Sequence, residues 1–459
     1  MKRIAVVGAS AAGLTAAETL RRRGWDGHLT LIGDEPRPPY DRPPLSKQIL
    51  TGAWEPERAL LRSPQDLAHL AADLRLGQPA TALDVAHRRV HLGAGETVRF
   101  DGLVIATGVT PRRLPDGDLA GVHVLRTLDD ALALRAALLA GPRVVVVGAG
   151  FLGTEVAAAA RTMGLQVTLV EPEPVPVRRP FGDRIGALVA DLHRAHGTRL
   201  RCGTPVRRLR GTGGRVTGVE LGDGATLPAD VVVLAVGSVP ATGWLTGSGL
   251  NLADGVVCDA WCRAAPGVYA AGDVASWHNT HFGTRMRLEH RTNATEQAIA
   301  AAGNLLGDAI PFAPVPYFWT DQYDTRIQAY GVFPPDADLR VVSGDPSNGR
   351  FTAAYGHRGV VAGVLGWNDP RELRTLRRLV VERALWTTVA DAGRGRRSRL
   401  PARRPAPPHA GTDPSGGTDR PEDHARTPGP VSPLALGAPG TPRCGASPSG
   451  DPSGGRGEW

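Results

Sequence analysis

The sequence predicts an α/β fold with two domains of the Rossmann type. Two glycine-rich turns indicate it: one begins at Gly8 and the other at Gly148, and each follows an apolar run and precedes a helical pattern. Strand, turn and helix N-terminus together bind the pyrophosphate of a dinucleotide, because the glycines allow close approach and the helix directs N–H groups at the phosphates. Two such units predict two dinucleotides that face each other and exchange a hydride.

The second turn has the complete glycine pattern, with Gly148, Gly150 and Gly153. The strand that follows it ends at Glu171, and an acidic residue at this spacing binds a ribose 2′-hydroxyl and repels a 2′-phosphate. We therefore predict NAD rather than NADP at this turn. The arginine pair at 178–179 lies a few residues further along the chain and leaves some use of NADP open.

The first turn departs from this pattern, because Ser10 stands between Gly8 and Gly13 where the middle glycine belongs. Serine is the smallest replacement, and its hydroxyl is able to face a phosphate. The next strand leads to Asp34 and Glu35, and either carboxylate is a candidate partner for a ribose. Of the two we favour Asp34.

The composition excludes several classes of function. The 459 residues carry a formal net charge of +8, half of it beyond residue 392, and no basic stripe with interleaved aromatic residues indicates nucleic-acid binding. No apolar run is long enough for a membrane span, and a strand begins by residue 4, so we expect neither a span nor a signal peptide. A local basic face for an acidic protein partner stays open.

The four cysteines are Cys202, Cys258, Cys262 and Cys444, and none belongs to a C-x-x-C motif. A redox-active disulfide is therefore not expected. Cys258 and Cys262 are predicted to be buried thiols rather than metal ligands, because no second ligand pair follows them, and we predict no metal site. So few cysteines fit a cytoplasmic protein.

Several motifs together give the chain a family resemblance. They are 39–47 (P-Y-D-R-P-P-L-S-K), 106–108 (A-T-G), 148–155 (G-A-G-F-L-G-T-E), 269–274 (Y-A-A-G-D-V) and 318–323 (F-W-T-D-Q-Y). With these motifs, the stretch 3–385 resembles the oxygenase-coupled NADH–ferredoxin reductases, which are flavoproteins of the glutathione-reductase type.

The resemblance implies two Rossmann-like domains, for FAD and for NADH, and an α+β C-terminal interface domain. The implied boundaries are 1–110 and 238–311 for the FAD-binding domain, 111–237 for the NAD-binding domain and 312–392 for the interface domain. Residues 393–459 contain thirteen prolines and thirteen glycines, with few aromatic or β-branched residues. Such a segment buries too little apolar surface to offset its ordering entropy, so we predict a disordered tail.

The activity implied by the resemblance is hydride transfer from NADH to FAD, followed by single-electron transfer to a separate [2Fe–2S] ferredoxin. That ferredoxin serves a cytochrome P450 or a Rieske-type oxygenase, and the reductase is expected as a monomer or a homodimer. Three alternatives stay open. Two are enzymes on the same fold, a rubredoxin reductase and an NADH oxidase, and the third is a non-catalytic redox-sensing flavoprotein that docks through its basic tail.

Four residues receive roles from the resemblance. Lys47 and Glu155 belong to the catalytic centre, Asp273 contacts the ribityl and phosphate region of FAD, and Trp319 approaches the isoalloxazine. The other residues predicted to bind FAD or NADH are Gly8, Ser10, Ala12, Gly13, Asp34, Glu35, Arg42, Ala80, Thr107, Gly108, Arg126, Gly148, Gly150, Gly153, Glu171, Gly237, Gly272 and Arg291.

Each of the four roles has a simpler alternative. Lys47 is then a solvated loop lysine, Glu155 a favourable charge in the first helical turn, Asp273 a helix N-cap and Trp319 a core residue. Arg291 is a departure from the family, which commonly has an aromatic residue there. A cation at this position either stabilises reduced flavin or points to solvent.

Overall fold

The computed structural model describes residues 1–93 and 95–389; the predicted disordered tail at 393–459 lies outside the described residues. The first segment of the chain supplies most strands of one sheet and also contributes strands to two short antiparallel sheets. The elements of this segment are β1 (Arg3–Val7), α1 (Ala11–Arg22), β2 (His28–Ile32), α2 (Gln48–Thr51), α3 (Pro64–His69), β3 (Ala72–Arg75), β4 (Ala80–Asp84), β5 (Arg89–Leu92), β6 (Thr97–Arg99), β7 (Gly102–Ile105) and β8 (Val109–Pro111).

The second segment forms a five-stranded parallel sheet in the order β12-β11-β10-β16-β9, with a separate antiparallel sheet β13-β14-β15. Its elements are β9 (Val122–His123), α4 (Leu128–Leu139), β10 (Arg143–Val147), α5 (Phe151–Thr162), β11 (Gln166–Glu171), α6 (Arg178–Ala195), β12 (Arg199–Cys202), β13 (Val206–Thr212), β14 (Arg215–Leu221), β15 (Thr226–Pro228) and β16 (Val231–Leu234). A capping box between Thr127 and Asp130 defines the start of α4.

The third segment returns to the first sheet. Its elements are β17 (Ser238–Pro240), β18 (Leu252–Ala253), β19 (Gly255–Val257), β20 (Arg263–Ala265), β21 (Val268–Ala270), β22 (Ala275–Asn279), β23 (Thr284–Met286) and α7 (Arg291–Leu305). The first sheet has the order β20-β21-β7-β1-β2-β3 and is parallel except for β20. Helices α1 and α7 pack against each other beside it. Strands before and after the second segment therefore share one sheet.

The last segment is a five-stranded antiparallel sheet in the order β24-β25-β28-β27-β26, followed by helix α8. Its elements are β24 (Tyr317–Gln322), β25 (Thr325–Gly331), β26 (Asp338–Asp345), β27 (Arg350–His357), β28 (Val360–Trp367) and α8 (Pro370–Val381). Strand β24 alternates strictly: Phe318, Thr320 and Gln322 are buried, whereas Tyr317 and Trp319 are half-buried on the other face.

The buried strands follow from sequence, because β1, β7, β10 and β16 are continuous apolar runs of the kind that parallel sheets cover on both faces. The last sheet packs against α6 through an apolar cluster that includes Phe181, Phe318 and Phe351. Within the described ranges, no helix has both the length and the apolar character needed to cross a bilayer.

Candidate functional site

Two cavities with a common wall lie at the carboxyl ends of the first sheet. The larger, of about 310 Å³, is lined by Lys47, Glu155 and Trp319 among others. The smaller, of about 150 Å³, is lined by Asp34, Glu35, Ala80, Thr107 and Trp244 among others. The residues that line both cavities are Ser10, Arg42, Ala106, Gly108 and Arg126. The arrangement suits an elongated ligand with an anionic centre and two ring systems at its ends.

The first glycine-rich turn brings the backbone close to this common wall. Gly8 has φ +114°, and a Cβ atom there would lie 2.1 Å from the carbonyl oxygen of Ala106. Ser10 is the N-cap residue of α1, and its side chain makes no capping hydrogen bond. The hydroxyl and the first N–H groups of α1 are therefore available to a phosphate, as predicted for this turn. Ala12 and Gly272 line the larger cavity.

Two arginines and a carboxylate lie where the cavities would hold the anionic centre of a ligand. Arg126 pairs with Asp273 at 3.1 Å, and Arg42 pairs with Glu35 at 2.7 Å. Burial raises the pKa of Asp273 against the opposing effect of Arg126, and burial also lowers the pKa of Arg126, with Arg42 adding to the shift. The Nε atom of Arg42 is buried and has no hydrogen-bond partner. A pyrophosphate would satisfy this donor and compensate both cations, so the residues fit the phosphates of FAD.

Asp273 lies inside the 3₁₀ turn Gly272–Val274, whose N-cap is Ala271. The alternative interpretation of Asp273 as an N-cap is therefore wrong. The carboxylate instead pairs directly with Arg126 in the wall of the larger cavity, beside which a ribityl chain would lie.

Lys47 and Glu155 form an ion pair with an Nζ–Oε2 distance of 2.6 Å. Their side chains are only 14% and 9% exposed, although Lys47 comes from the first segment and Glu155 from α5. Ser46 Oγ donates to the same carboxylate oxygen at 2.6 Å, and Thr320 Oγ1 donates to the other at 2.8 Å. Lys47 is thus not a solvated loop lysine, and Glu155 is held by three donors rather than only by the helix terminus.

Glu35 is committed to protein contacts within the smaller cavity. It accepts hydrogen bonds from Arg42 and from the Tyr40 hydroxyl, and Tyr40 in turn accepts from the backbone N–H of Leu128. Asp34 is exposed and accepts from the backbone N–H of Glu35 at 3.1 Å. Asp34 therefore has the greater freedom to bind a ribose, and the preference for it stays a prediction.

Arg291 does not point into solvent. It forms an ion pair with Asp41 and donates a hydrogen bond to Thr295 while lining the larger cavity. Asp41 offsets its positive charge, so the site gains less cationic field than the substitution alone suggests. Trp319 is half-buried at the same cavity rather than enclosed in a core.

The second glycine-rich turn repeats the geometry of the first. Gly148 has φ +97°, and a Cβ there would lie 2.4 Å from the carbonyl oxygen of Ala235. Gly150 is the N-cap residue of α5 and has open space where a side chain would project, as a phosphate site requires. A Cβ atom at Gly153 would lie 1.9 Å from the carbonyl oxygen of Gly148, so glycine is needed there for α5 to begin this close to the turn. Gly237 is exposed a few residues beyond the end of β16.

Glu171 lies beside this second turn, as predicted. Its Oε2 atom accepts a hydrogen bond from the backbone N–H of Ala149 at 2.6 Å, and its Oε1 atom accepts from that of Glu173 at 3.1 Å. Arg178 and Arg179 both form ion pairs with Glu173, at 3.0 and 3.2 Å. The two arginines that left room for NADP therefore both have carboxylate partners, since Arg178 also pairs with Asp183 at 2.6 Å.

Sequence reasoning missed some cavity residues. Ser46 belongs to the motif 39–47, but the motif does not indicate its contact with Glu155. Phe151 and His290 also line the larger cavity. Trp244 lines the smaller cavity with a buried, unpartnered Nε1 atom, and no local pattern marks it. That indole N–H is available as a hydrogen-bond donor to a ligand in the smaller cavity.

The thiols lie away from this chemistry. Cys202, Cys258 and Cys262 are free, and neither cavity is lined by a cysteine of the described chain. Burial raises the pKa of Cys258 to about 12, which keeps this thiol protonated. Among the residues the structure describes, no group of three or more His, Cys, Asp or Glu side chains could hold a metal ion. Cys444 lies outside the described residues.

Comparison with known proteins decides the family. The model of the pyridine nucleotide-disulphide oxidoreductases matches residues 2–298, and a reductase C-terminal model matches residues 317–393. The chain belongs to the pyridine nucleotide-disulphide oxidoreductase family. It is one of its oxygenase-system ferredoxin reductases, so the resemblance drawn from the motifs is confirmed. Like them it is a flavoprotein that uses FAD and NAD(P)H.

Relatives of this pyridine nucleotide-disulphide oxidoreductase match it over most of its length. A probable ferredoxin reductase of Castellaniella defragrans is 39% identical, covering 84% of this chain and 95% of that protein. The ferredoxin–NAD(+) reductase component of a Paraburkholderia xenovorans biphenyl dioxygenase system is 37% identical, with 87% and 98% covered. The crystal structure of the ferredoxin reductase for the CYP199A2 system of Rhodopseudomonas palustris is 35% identical, with a TM-score of 0.78 and coverage of 80% and 91%.

These matches confirm the predicted fold class of two nucleotide-binding units with a C-terminal α+β unit. The exact domain boundaries and the assignment of individual residues to FAD or to NADH remain predictions, which the geometry described above supports.

Proposed function

We propose that the protein is an FAD-dependent NADH:ferredoxin oxidoreductase of an oxygenase system. The observation that carries the proposal is the buried Lys47–Glu155 ion pair at the larger cavity, between the turn of Ser10 and the turn of Gly150. FAD held there by the residues that line the two cavities would supply the chemistry of taking up a hydride from NADH and giving up electrons one at a time. The chain's own task is to orient both dinucleotides and to exclude water from the space between their rings.

The residues divide this task between them. The N-termini of α1 and α5 bind the two pyrophosphates, and Arg42 and Arg126 compensate the charge on the FAD side. Lys47 supplies a positive charge near the site of hydride transfer, and Glu155 holds that lysine in place. Phe151, which opens α5, shields the same space with its ring.

We expect NADH to be preferred over NADPH by at least tenfold in kcat/KM. A 2′-phosphate would meet the Glu171 carboxylate, and the nearby arginines are already paired with Glu173. Steady-state kinetics with both nucleotides measure the ratio, and Glu171→Gln should reduce it several-fold. Glu57→Gln, at an exposed site of the first segment, is the matched control and should leave the ratio unchanged. Equal use of both nucleotides by the unaltered protein would contradict the assignment.

Electrons have to leave for a second protein. No cysteine lines the cavities in the described chain, and the four cysteines of the sequence lack the spacing of an iron–sulfur cluster. A contiguous set of rings leads from the larger cavity to the surface: Trp319 stacks on Tyr317 at 5.9 Å between ring centroids, and Tyr317 contacts Tyr330 at 4.6 Å. We propose this side as the exit towards the ferredoxin.

Helix α8 gives this exit a basic face. Arg377 lies over the Tyr330 ring at 5.5 Å, and Arg371 and Arg374 are exposed on the same helix. Such a face suits a partner with an acidic surface and would accelerate encounter at low salt.

We expect the double variant Arg374→Glu, Arg377→Glu to raise the KM for ferredoxin about tenfold, because two like charges then face the partner. The stopped-flow rate of flavin reduction by NADH should not change, since neither residue lines the cavities. The matched control is Arg184→Glu, Arg194→Glu on α6, where the charge change is the same. An equal effect in both double variants would show general charge repulsion rather than docking at α8.

The proposal as a whole is tested by stopped-flow reduction with NADH, followed by a panel of a [2Fe–2S] ferredoxin, a rubredoxin and oxygen as acceptors. Rapid cytochrome c reduction only through added ferredoxin supports it. Preference for rubredoxin or for oxygen would support the two alternative enzymes, and absence of turnover would support a redox sensor. The turnover should be unchanged on deletion of 393–459 if the tail is not a docking arm.

We also propose that the ferredoxin passes its electrons to a cytochrome P450 or a Rieske-type oxygenase in the cytoplasm. The support is chemical: NADH is a cytoplasmic reductant, and the described cysteines are free thiols. Fractionation of the host cell with detection of the protein would test the location.

A further inference from the structure

The Glu155 carboxylate is held from two sides by different parts of the chain. Its Oε2 atom accepts from Lys47 and Ser46 of the first segment, and its Oε1 atom accepts from Thr320 of β24. Thr320 is fully buried and 165 residues away in sequence. The last sheet therefore hydrogen-bonds to the carboxylate of the predicted catalytic centre through the Thr320 hydroxyl group.

Thr320 is the end of a longer series of hydrogen bonds. Gln322 Nε2 lies 3.3 Å from Thr320 Oγ1 and 2.9 Å from Thr154 Oγ1, and Gln322 Oε1 lies 3.0 Å from His193 Nε2. His193 Nδ1 lies 3.2 Å from the Tyr323 hydroxyl, which lies 3.0 Å from Thr198 Oγ1. The series joins β24 to α5 and α6.

The chemistry of the groups gives the series one direction. Because a carboxylate paired with a lysine only accepts hydrogen bonds, the Thr320 hydroxyl must donate a hydrogen bond to Glu155 and accept one from Gln322. The Gln322 amide then donates to both threonines, so its oxygen must accept from His193 Nε2. His193 is the neutral tautomer with the proton on Nε2, and its Nδ1 accepts from Tyr323. Burial lowers the pKa of His193 to about 4, in agreement with this neutral state.

This series does not conduct protons. A side-chain amide has no ionisable proton at neutral pH, so Gln322 interrupts any relay between Tyr323 and Glu155. What a one-directional series of donors does instead is to fix the geometry of its final acceptor, because reversing one bond would leave two acceptors or two donors in contact.

We propose that Thr320 and Gln322 are positioning residues that hold Glu155 in the geometry in which it orients Lys47. The inference rests on the proposed roles of Lys47 and Glu155 and extends them to β24. It assigns the last sheet a part in hydride transfer, although that sheet supplies neither of the two glycine-rich turns.

The test compares Thr320→Val with Thr320→Ser in the holoenzyme. Valine keeps the volume but removes the donor, whereas serine retains it. In Thr320→Val we expect the limiting rate of flavin reduction to fall about tenfold and the Kd for NADH to change less than twofold. We also expect the midpoint potential of FAD to become more negative, because a carboxylate that has lost a donor places more negative charge beside the flavin. Thr320→Ser should restore both quantities.

Two further variants keep the result interpretable. Gln322→Leu should shift the rate of flavin reduction and the midpoint potential in the same direction as Thr320→Val, but to a smaller extent. It replaces Thr320→Val as the test variant if Thr320→Val folds poorly. Glu155→Gln measures the role of the carboxylate itself. An impaired Glu155→Gln beside a Thr320→Val variant with unaltered rate and potential would overturn positioning by Thr320. Unaltered behaviour of Glu155→Gln would instead contradict the proposed role of Glu155, on which the inference rests.

Discussion

Replacing Lys47 with methionine is expected to slow the reduction of FAD by NADH about 100-fold while the protein keeps its FAD. The lysine lies 2.6 Å from Glu155, and in its proposed role it would stabilise the negative charge that hydride transfer places on the isoalloxazine; one such preorganised donor contributes about 10²–10³ in rate. FAD retention is expected to depend instead on Ser10, Arg42 and Arg126, which line both cavities and are proposed to bind the phosphates. Methionine keeps most of the length of the apolar side chain and removes the charge together with the hydrogen bonds that Nζ donates to Pro43, Ser46 and Glu155.

The chain offers a matched control for this experiment. Its only other lysine is Lys2, which is exposed near the start of β1, so Lys2→Met makes the same chemical change away from the cavities. Stopped-flow absorbance measures reduction, and the ratio of flavin to protein absorbance measures retention. Loss of FAD with normal hydride transfer in the remaining holoenzyme would assign Lys47 to FAD binding instead.

The free energy of unfolding should fall by about 3 kcal/mol between pH 6.5 and pH 4 through His193 alone. This histidine is fully buried, and burial lowers its pKa from 6.5 to about 4. In this interval the unfolded chain binds a proton that the folded chain does not, so stability is complete above pH 6.5 and decreases as the pH falls. The size follows from about 1.4 kcal/mol for each unit of pKa difference.

Urea denaturation of the holoenzyme at pH 7 and at pH 4.5 measures this effect. His193→Gln removes the titrating group and should flatten the pH dependence by roughly that amount, whatever its effect on stability at pH 7. His69→Gln, on the exposed side of α3, is the control and should retain the full slope. An identical slope in His193→Gln would mean that other groups cause the acid sensitivity.

Much of the fold is predictable because its information is local. The apolar runs of β1 and β10, the glycines that follow them and the acidic end of β11 lie within short stretches of sequence, and each has one physical explanation. The Lys47–Glu155 contact followed from the resemblance, since the two residues are 108 positions apart and no periodicity connects them.

Other features depend on tertiary contacts that no local pattern contains. The Asp41–Arg291 pair spans 250 positions and changes the interpretation of Arg291 from an uncompensated cation to a paired one. Trp244 reaches the smaller cavity from a 3₁₀ turn without any motif. Thr320 and Gln322 belong to the motif 318–323, but their hydrogen bonds to Glu155 and His193 depend on the packing of β24 against α5 and α6.

The alternation of β24 has a consequence for sequence change in this protein. Thr320 and Gln322 lie on the buried face of the strand, and Tyr317 and Trp319 lie on the other face. In the roles proposed above, the first pair supports hydride transfer and the second supports the departure of electrons, so a point substitution is expected to impair one role and spare the other. A one-residue insertion or deletion inside the strand would exchange its two faces and is expected to abolish both roles together. The length of this strand is therefore under stricter constraint than the identity of any single residue in it.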